Sequence, residues 1–242
     1  MCLETCMYTI RHVGVGYEDS FYRLPEGRLG QNDDGHQPCG RRHRRGLEVA
    51  LIDLDPQVSA CDWKDIRGDK PPVVAATPVP HLERALKAAE EAGADLAIID
   101  TAGRANDTMS AAARVADLIL VPLQPSLPDL NTVAATLDII RIAGGKPMRA
   151  LLARVRAAGN RHDETTAWLS AKGVEVCPIT LGERVIFQDA YAMGLSVAEA
   201  EPNGKAAEEI QQVYNYTCRI LGLPTEGRGS DEKTERARKR TA

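Results

Sequence analysis

Three aspartates carry most of the chemistry that this chain could do. Asp53 and Asp55 lie at the end of "EVALIDLDPQ", and Asp100 ends the apolar part of "LAIIDTAGR". A carboxylate at a strand end can hold a divalent cation, directly or through water. Asp100 suits that role and Asp53 can support the same shell, while Asp55 can reach an attacking water. Thr101, Ala102 and Gly103 then form a turn beside a terminal phosphate. The plainer alternative is an Asp that caps the next turn, or a polar strand exit. The two motifs together favour the nucleotide chemistry. Such a site also needs amides and a lysine to grip phosphate, and the first lysine of the whole chain is Lys64.

The elements that must position these residues follow from the apolar pattern. "EVALIDL", "ADLAIIDTAG", "DLILVPLQPS" and "MRALLARVRA" are apolar runs of the kind found in strands covered on both faces. "VEVCPI" reads as a further short strand. Helices are expected at "PHLERALKAAEEAG", where Leu82, Ala85, Leu86 and Ala89 have helical spacing, and at "NDTMSAAARVA", with Asn106 as N-cap. Further helices are expected at "DLNTVAATLDIIRIAGG", "DETTAWLSAKG", "ERVIFQDAYAMG" and "GKAAEEIQQVYNYTCRILG". Strands alternating with helices predict an α/β fold with a doubly wound, mostly parallel sheet. Ligands bind such sheets at the carboxyl ends of the strands, where the aspartates and the "PLQPS" turn fall.

Composition sets the frame. The 242 residues are 43% hydrophobic and 26% charged, with a net charge of -4, so any nucleic-acid contact needs a local basic patch. The stretch from Arg141 to Arg161 supplies one, with Arg154, Arg156 and Arg161 and no acidic residue. No apolar run approaches the ~18 residues of a membrane span, and the N-terminus lacks the apolar core of a signal peptide, so a cytoplasmic protein is expected. Residues 1–45 hold three of the six cysteines and three of the five histidines without a period of 2 or 3.6, and are expected to pack poorly. His36, Cys39 and His43 have ligand-like spacing there, which reads as accidental clustering. Residues 46–222 form the expected domain, and 223–242 a charged, apolar-poor tail.

"LIDLDPQVSACDW", "LAIIDTAGRANDTMSAAARVADLILVPLQPSLPDL" and "ERVIFQDAYAMGLSVAEAEPNGKAAEEI", in that order, resemble the ParA/MinD family of deviant Walker ATPases, in particular short plasmid-partition ParA proteins. The resemblance implies a P-loop NTPase-like fold, ATP and Mg²⁺ as cofactors and slow ATP hydrolysis. It also implies an ATP-dependent homodimer, non-specific DNA binding over the nucleoid and a centromere-binding ParB-like partner. It makes Asp55 the carboxylate that orients the hydrolytic water and Asp100, with Asp53, the metal-associated pair. It places Pro56, Gln57, Thr101 and Gly103 around the nucleotide, Pro122, Pro125 and Ser126 near the adenine, and Arg184 where a basic residue meets DNA. Two other readings stay open: a non-catalytic pseudo-ATPase that binds partners, and a MinD-like membrane-surface regulator. "TEGRGSDEKTERARKRTA" has the charge for the latter but no apolar face.

The family's K-G-G-x-G-K-T-T loop is absent; "GVG" at Gly14–Gly16 lacks its Lys and Thr. A frameshift across residues 17–45 accounts for this. Read one nucleotide forward with suitable synonymous codons, "YEDSFYRLPEGRLGQNDDGHQPCGRRH" allows an initiator Met, a strand, K-G-G-S-G-K-T-T and an amphipathic helix. Codon freedom alone could permit such a reading, but here the whole motif is allowed in order and in place.

Overall fold

The structure is a computed structural model and describes residues 7–12, 47–55, 59–101 and 106–225. A six-stranded sheet is built from β1 (Met7–His12), β2 (Val49–Asp53), β3 (Val73–Ala76), β4 (Leu96–Thr101), β5 (Leu118–Leu123) and β6 (Met148–Leu152), in the order β3-β2-β4-β1-β5-β6. β2 is parallel to β3 and β4, and β5 is parallel to β6. Only β1 runs the other way, antiparallel to both β4 and β5.

The crossovers are α1 (Ser59–Arg67), α2 (Leu82–Glu91), α3 (Asn106–Val115), α4 (Leu127–Ile142) and α5 (Arg161–Ala171). After them come α6 (Ile186–Ala192), α7 (Val197–Ala200) and α8 (Lys205–Ile220). Alternation along the strands feeds two cores, because successive side chains point to opposite faces. On one face Ile52, Ala97, Ile99 and Ile119 pack against Leu82 and Leu86 of α2, Met109 and Ala112 of α3 and Ile140 of α4. On the other face Ile10, Leu96, Leu118, Leu120 and Leu151 pack against Val213 and Cys218 of α8. Helices on both faces of a mostly parallel sheet make this a doubly wound α/β fold, as expected.

Four expectations need correction. Residues 7–12 do not stand apart from the sheet. They form one of its two middle strands, and Ile10 is buried against both neighbours in register, Ile98 and Leu118. "VEVCPI" does not form a strand of its own: it contributes a single parallel bridge, Val176 to Ala150, and Pro178 removes a donor from the ladder. A strand absent from the sequence reading, β3, occupies the sheet edge; its four mostly exposed residues never make a double-sided apolar run. Asn106 is the first residue of α3 rather than its cap.

Candidate functional site

The register sets Asp53 opposite Asp100 on adjacent parallel strands. Register partners in a parallel pair face the same way, and neighbouring strands lie ~4.8 Å apart. Both side chains are therefore on the α8 face at the carboxyl edge of the sheet, and both are buried, at 1% and 4% exposure. Two carboxylates in such a place are suited to a divalent cation. Thr101, fully buried, ends β4 beside them. Among the described residues, no group of three or more His, Cys, Asp or Glu converges as a closed metal site.

Asp53 does structural work as well. Its Oδ1 accepts the Asp55 N–H at 2.9 Å, and its Oδ2 accepts the Ala60 N–H at 3.0 Å. The carboxylate thus closes an Asx-type turn after β2 and caps the first turn of α1 at the same time. Burial pushes the Asp53 carboxyl up from its ordinary value, and these backbone donors oppose that rise. Asp55 lies just beyond the strand and is half-buried. Two backbone bonds tie this edge together, Leu54 N–H to Asp100 C=O and Thr77 N–H to Asp53 C=O, both 2.9 Å.

Pro122 is buried in β5, and Pro125 and Ser126 are half-buried in the turn before α4. Tyr8 of β1 is level with both Asp100 and Leu120, so this turn rises from the same sheet edge as the aspartates. The Asp129 carboxylate holds the turn by accepting the Gln124 N–H at 2.6 Å. Pro56, Gln57 and Gly103 fall outside the described residues.

Among the described residues, the strand beside Asp100 does not match the phosphate-gripping half of a nucleotide site. β1 lies beside the Asp100 strand, but its direction is reversed. Its first residue, Met7, meets Thr101 at the carboxyl edge, and its last, His12, meets Leu96 at the opposite edge. The chain re-enters the described structure at that opposite edge too, where Glu48 C=O accepts the Asp95 N–H at 2.8 Å. A phosphate loop must follow a strand that ends at the carboxyl edge, and β1 does not. Among the described residues, the paired carboxylates suit a cation.

Of the expected DNA-contacting arginines, Arg154, Arg156 and Arg184 flank the parallel bridge between Val155 and Gly182, and Arg161 opens α5. Arg184 folds back over Gly182 and pairs with Glu209 of α8, which also accepts the Gly182 N–H at 3.0 Å. The Glu209 hydrogen bond raises the Arg184 pKa further. Arg154 sits beyond the carboxyl end of β6 with φ of 52°, an unusual conformation for a side-chain-bearing residue. Arg156 is 81% exposed and pairs only weakly with Glu183 at 3.3 Å, and Arg161 is exposed at the start of α5. Arg149 turns inward to Glu175 and the Tyr216 hydroxyl.

One constellation escaped the sequence reading. Arg67, at the end of α1, has a side chain only 6% exposed and forms a two-point ion pair with Glu199 at 2.8 and 3.0 Å. It also donates to Gly194 C=O at 2.8 Å and Pro71 C=O at 2.6 Å, and lies 4.9 Å from the centre of the Trp63 ring. Glu199 is held at a pKa of about 2 by the Arg67 hydrogen bonds, and also by the capping box it forms with Ser196. "SVAE" at residues 196–199 was the available signal.

A doubly wound sheet with paired aspartates at the carboxyl edge gives the chain a P-loop NTPase-like fold. No family model matches the sequence. It is 26% identical over 192 residues to Protein ParA of Rhizobium radiobacter, covering 75% of this chain and 86% of that protein. Solved structures share the fold. A McdA–ATP complex from Cyanothece superposes with a TM-score of 0.58 at 16% identity, covering 75% of this chain and 87% of that one. The MinC:MinD cell division protein complex of Aquifex aeolicus gives 0.56 at 13% identity, covering 74% and 85%. A ParA family ATPase from Chlorobium tepidum gives 0.52 at 15% identity, covering 69% and 84%. In sequence and fold the chain is similar to proteins of the ParA/MinD family, a ParA protein among them.

Proposed function

We propose that this chain is a partition protein of the ParA type whose nucleotide site, as written, is only half built. In the complete form of the site, Asp100 and Asp53 hold Mg²⁺ and Asp55 orients the hydrolytic water. Pro56, Gln57, Thr101 and Gly103 line the phosphates, and Pro122, Pro125 and Ser126 border the base. ATP then drives homodimerisation and sequence-independent DNA binding over the nucleoid of the cytoplasm, and a ParB-like partner stimulates hydrolysis. Arg156 and Arg161 are the more exposed of the candidate DNA contacts, while Arg154 is half-buried and Arg184 pairs with Glu209. Among the described residues no helix is long and apolar enough to cross a membrane.

The observation that carries this reading is the Asp53–Asp100 register at the carboxyl edge, beside a strand that runs the wrong way to deliver a phosphate loop. That same reversal favours a second reading, a pseudo-ATPase that keeps the fold and its interaction surfaces. Titration with ATP and Mg²⁺, with phosphate release, separates the two when run on this chain and on a frame-restored chain. This chain should show no micromolar binding, since buried carboxylates repel a triphosphate and no lysine precedes Lys64 to neutralise it. The frame-restored chain should bind ATP, dimerise and turn over slowly. Failure of both chains leaves the pseudo-ATPase.

A further inference from the structure

We propose that Arg67 is a positioning residue for the Asp55 turn, acting through α1 from the α6–α7 junction. The argument begins at the two ends of α1. At its start, the Ala60 N–H is bonded to Asp53, and the same carboxylate holds the Asp55 N–H. The backbone position of Asp55 is therefore fixed by a group that also receives the first turn of α1. At its end, Arg67 makes four hydrogen bonds, two to Glu199 and one each to Gly194 C=O and Pro71 C=O. From Ala60 to Arg67 the helix spans about 10 Å, too short to absorb a shift at one end by bending.

The junction is rigid for three further reasons. Gly194 has φ of 65°, and a Cβ there would lie 2.6 Å from the Arg67 nitrogen, so the backbones touch where only glycine fits. Trp63, one turn before Arg67, is buried and donates its indole N–H to Leu195 C=O at 3.4 Å. Glu199 Oε2 accepts from both the Ser196 N–H and Arg67, each at 2.8 Å, which locks the start of α7 to the end of α1. A displacement of α6–α7 thus moves α1 as a body and pulls the Ala60 amide against the Asp53 carboxylate. The segment before α8 and the Asp53–Asp55 turn are mechanically one unit.

This rests on the reading of Asp55 as the water-orienting residue, but its test contains no nucleotide. A broken clamp and a wrong functional assignment therefore give different results. Amide hydrogen exchange is measured on the full chain and on Arg67→Lys, Glu199→Gln and, as a control in an exposed pair, Arg156→Ala. Lysine loses the two-point fork, and glutamine keeps the shape of Glu199 while removing its charge. In both clamp variants the Asp55 and Ala60 amides should exchange at least tenfold faster relative to the strand amides of Leu51, Ile98 and Ile119. Arg156→Ala should leave that ratio unchanged. A merely structural role would move turn and strand amides by one common factor, and that result overturns the proposal. Faster exchange confined to Glu199 and Ala200, or no change at Asp55 and Ala60, overturns it as well.

Discussion

Replacing Ile10 by Ala tests whether Met7–His12 is a true part of the sheet. β4 and β5 are not neighbours in the sheet; they are joined only through β1, which bonds to both. Ile10 is 4% exposed and packs in one cluster with Leu96, Leu118, Leu120 and Leu151, and its C=O accepts the Asp117 N–H at 2.9 Å. Truncating a buried isoleucine to alanine costs about 2–5 kcal/mol, from lost transfer energy and the cavity left behind. The site lies between two strands that cannot close on each other, so collapse is limited and about 3 kcal/mol is expected. For a chain of this size that lowers Tm by ~6–12 °C. Urea unfolding followed by far-UV circular dichroism should show a lower midpoint with an unchanged slope. Ile10→Asp should be worse, because it places a carboxylate without a partner in an apolar slot. A loss under about 0.5 kcal/mol for both variants would refute the argument and mean that β1 does not bridge the half-sheets.

Glu199→Gln should cost about 1–2 kcal/mol near neutral pH, a value reduced for solvent screening because the Glu199 side chain is 39% exposed. The Glu199 pKa is depressed from 4.5 to about 2, so its contribution is full above pH 4.5 and is lost as pH falls towards 2. Wild-type and variant unfolding midpoints should therefore converge across that interval. Gly194→Ala should destabilise by ~1–3 kcal/mol through its positive φ and the 2.6 Å clash with Arg67, read by the same melts. In the frame-restored chain, Asp55→Ala should keep ATP binding and abolish phosphate release. In that chain, Arg156→Glu with Arg161→Glu should weaken ATP-dependent DNA retention at low salt and flatten its salt dependence by ~2 in log–log slope, whereas Arg184→Ala should leave the slope unchanged.

How much could be read in advance depended on whether a residue's place was set by its neighbours in sequence. β2, β4, β5 and β6 are apolar runs covered on both faces, and the long helices carry helical spacing with glycine stops, so local chemistry located them. Asp53, Asp100 and the Pro122–Ser126 turn were legible for the same reason, since each ends such a run. The Arg67–Glu199 pair joins residues 132 apart in sequence, and no local pattern pairs them. Arg184 was assigned to DNA by resemblance alone, and its pairing with Glu209, 25 residues further on, is not visible in sequence spacing.

β1 is the deeper case, because its position comes from the sheet rather than from its own residues. "MYTIRH" mixes Tyr, Thr and Ile, good strand formers, with Arg11 and His12, and shows no double-sided apolar run. Yet β4 and β5 present facing edges with buried apolar residues on both faces and unpaired backbone groups unless a strand lies between them. A buried, unsatisfied edge is costly enough that the slot will be filled. Backbone hydrogen bonds can be made by a strand of either direction. Filling the slot therefore completes the sheet whichever way the strand runs, whereas only a parallel strand would deliver its following loop to the edge that carries Asp53 and Asp100. Stability and nucleotide chemistry make different demands on one strand position, and the antiparallel direction of β1 answers to the first.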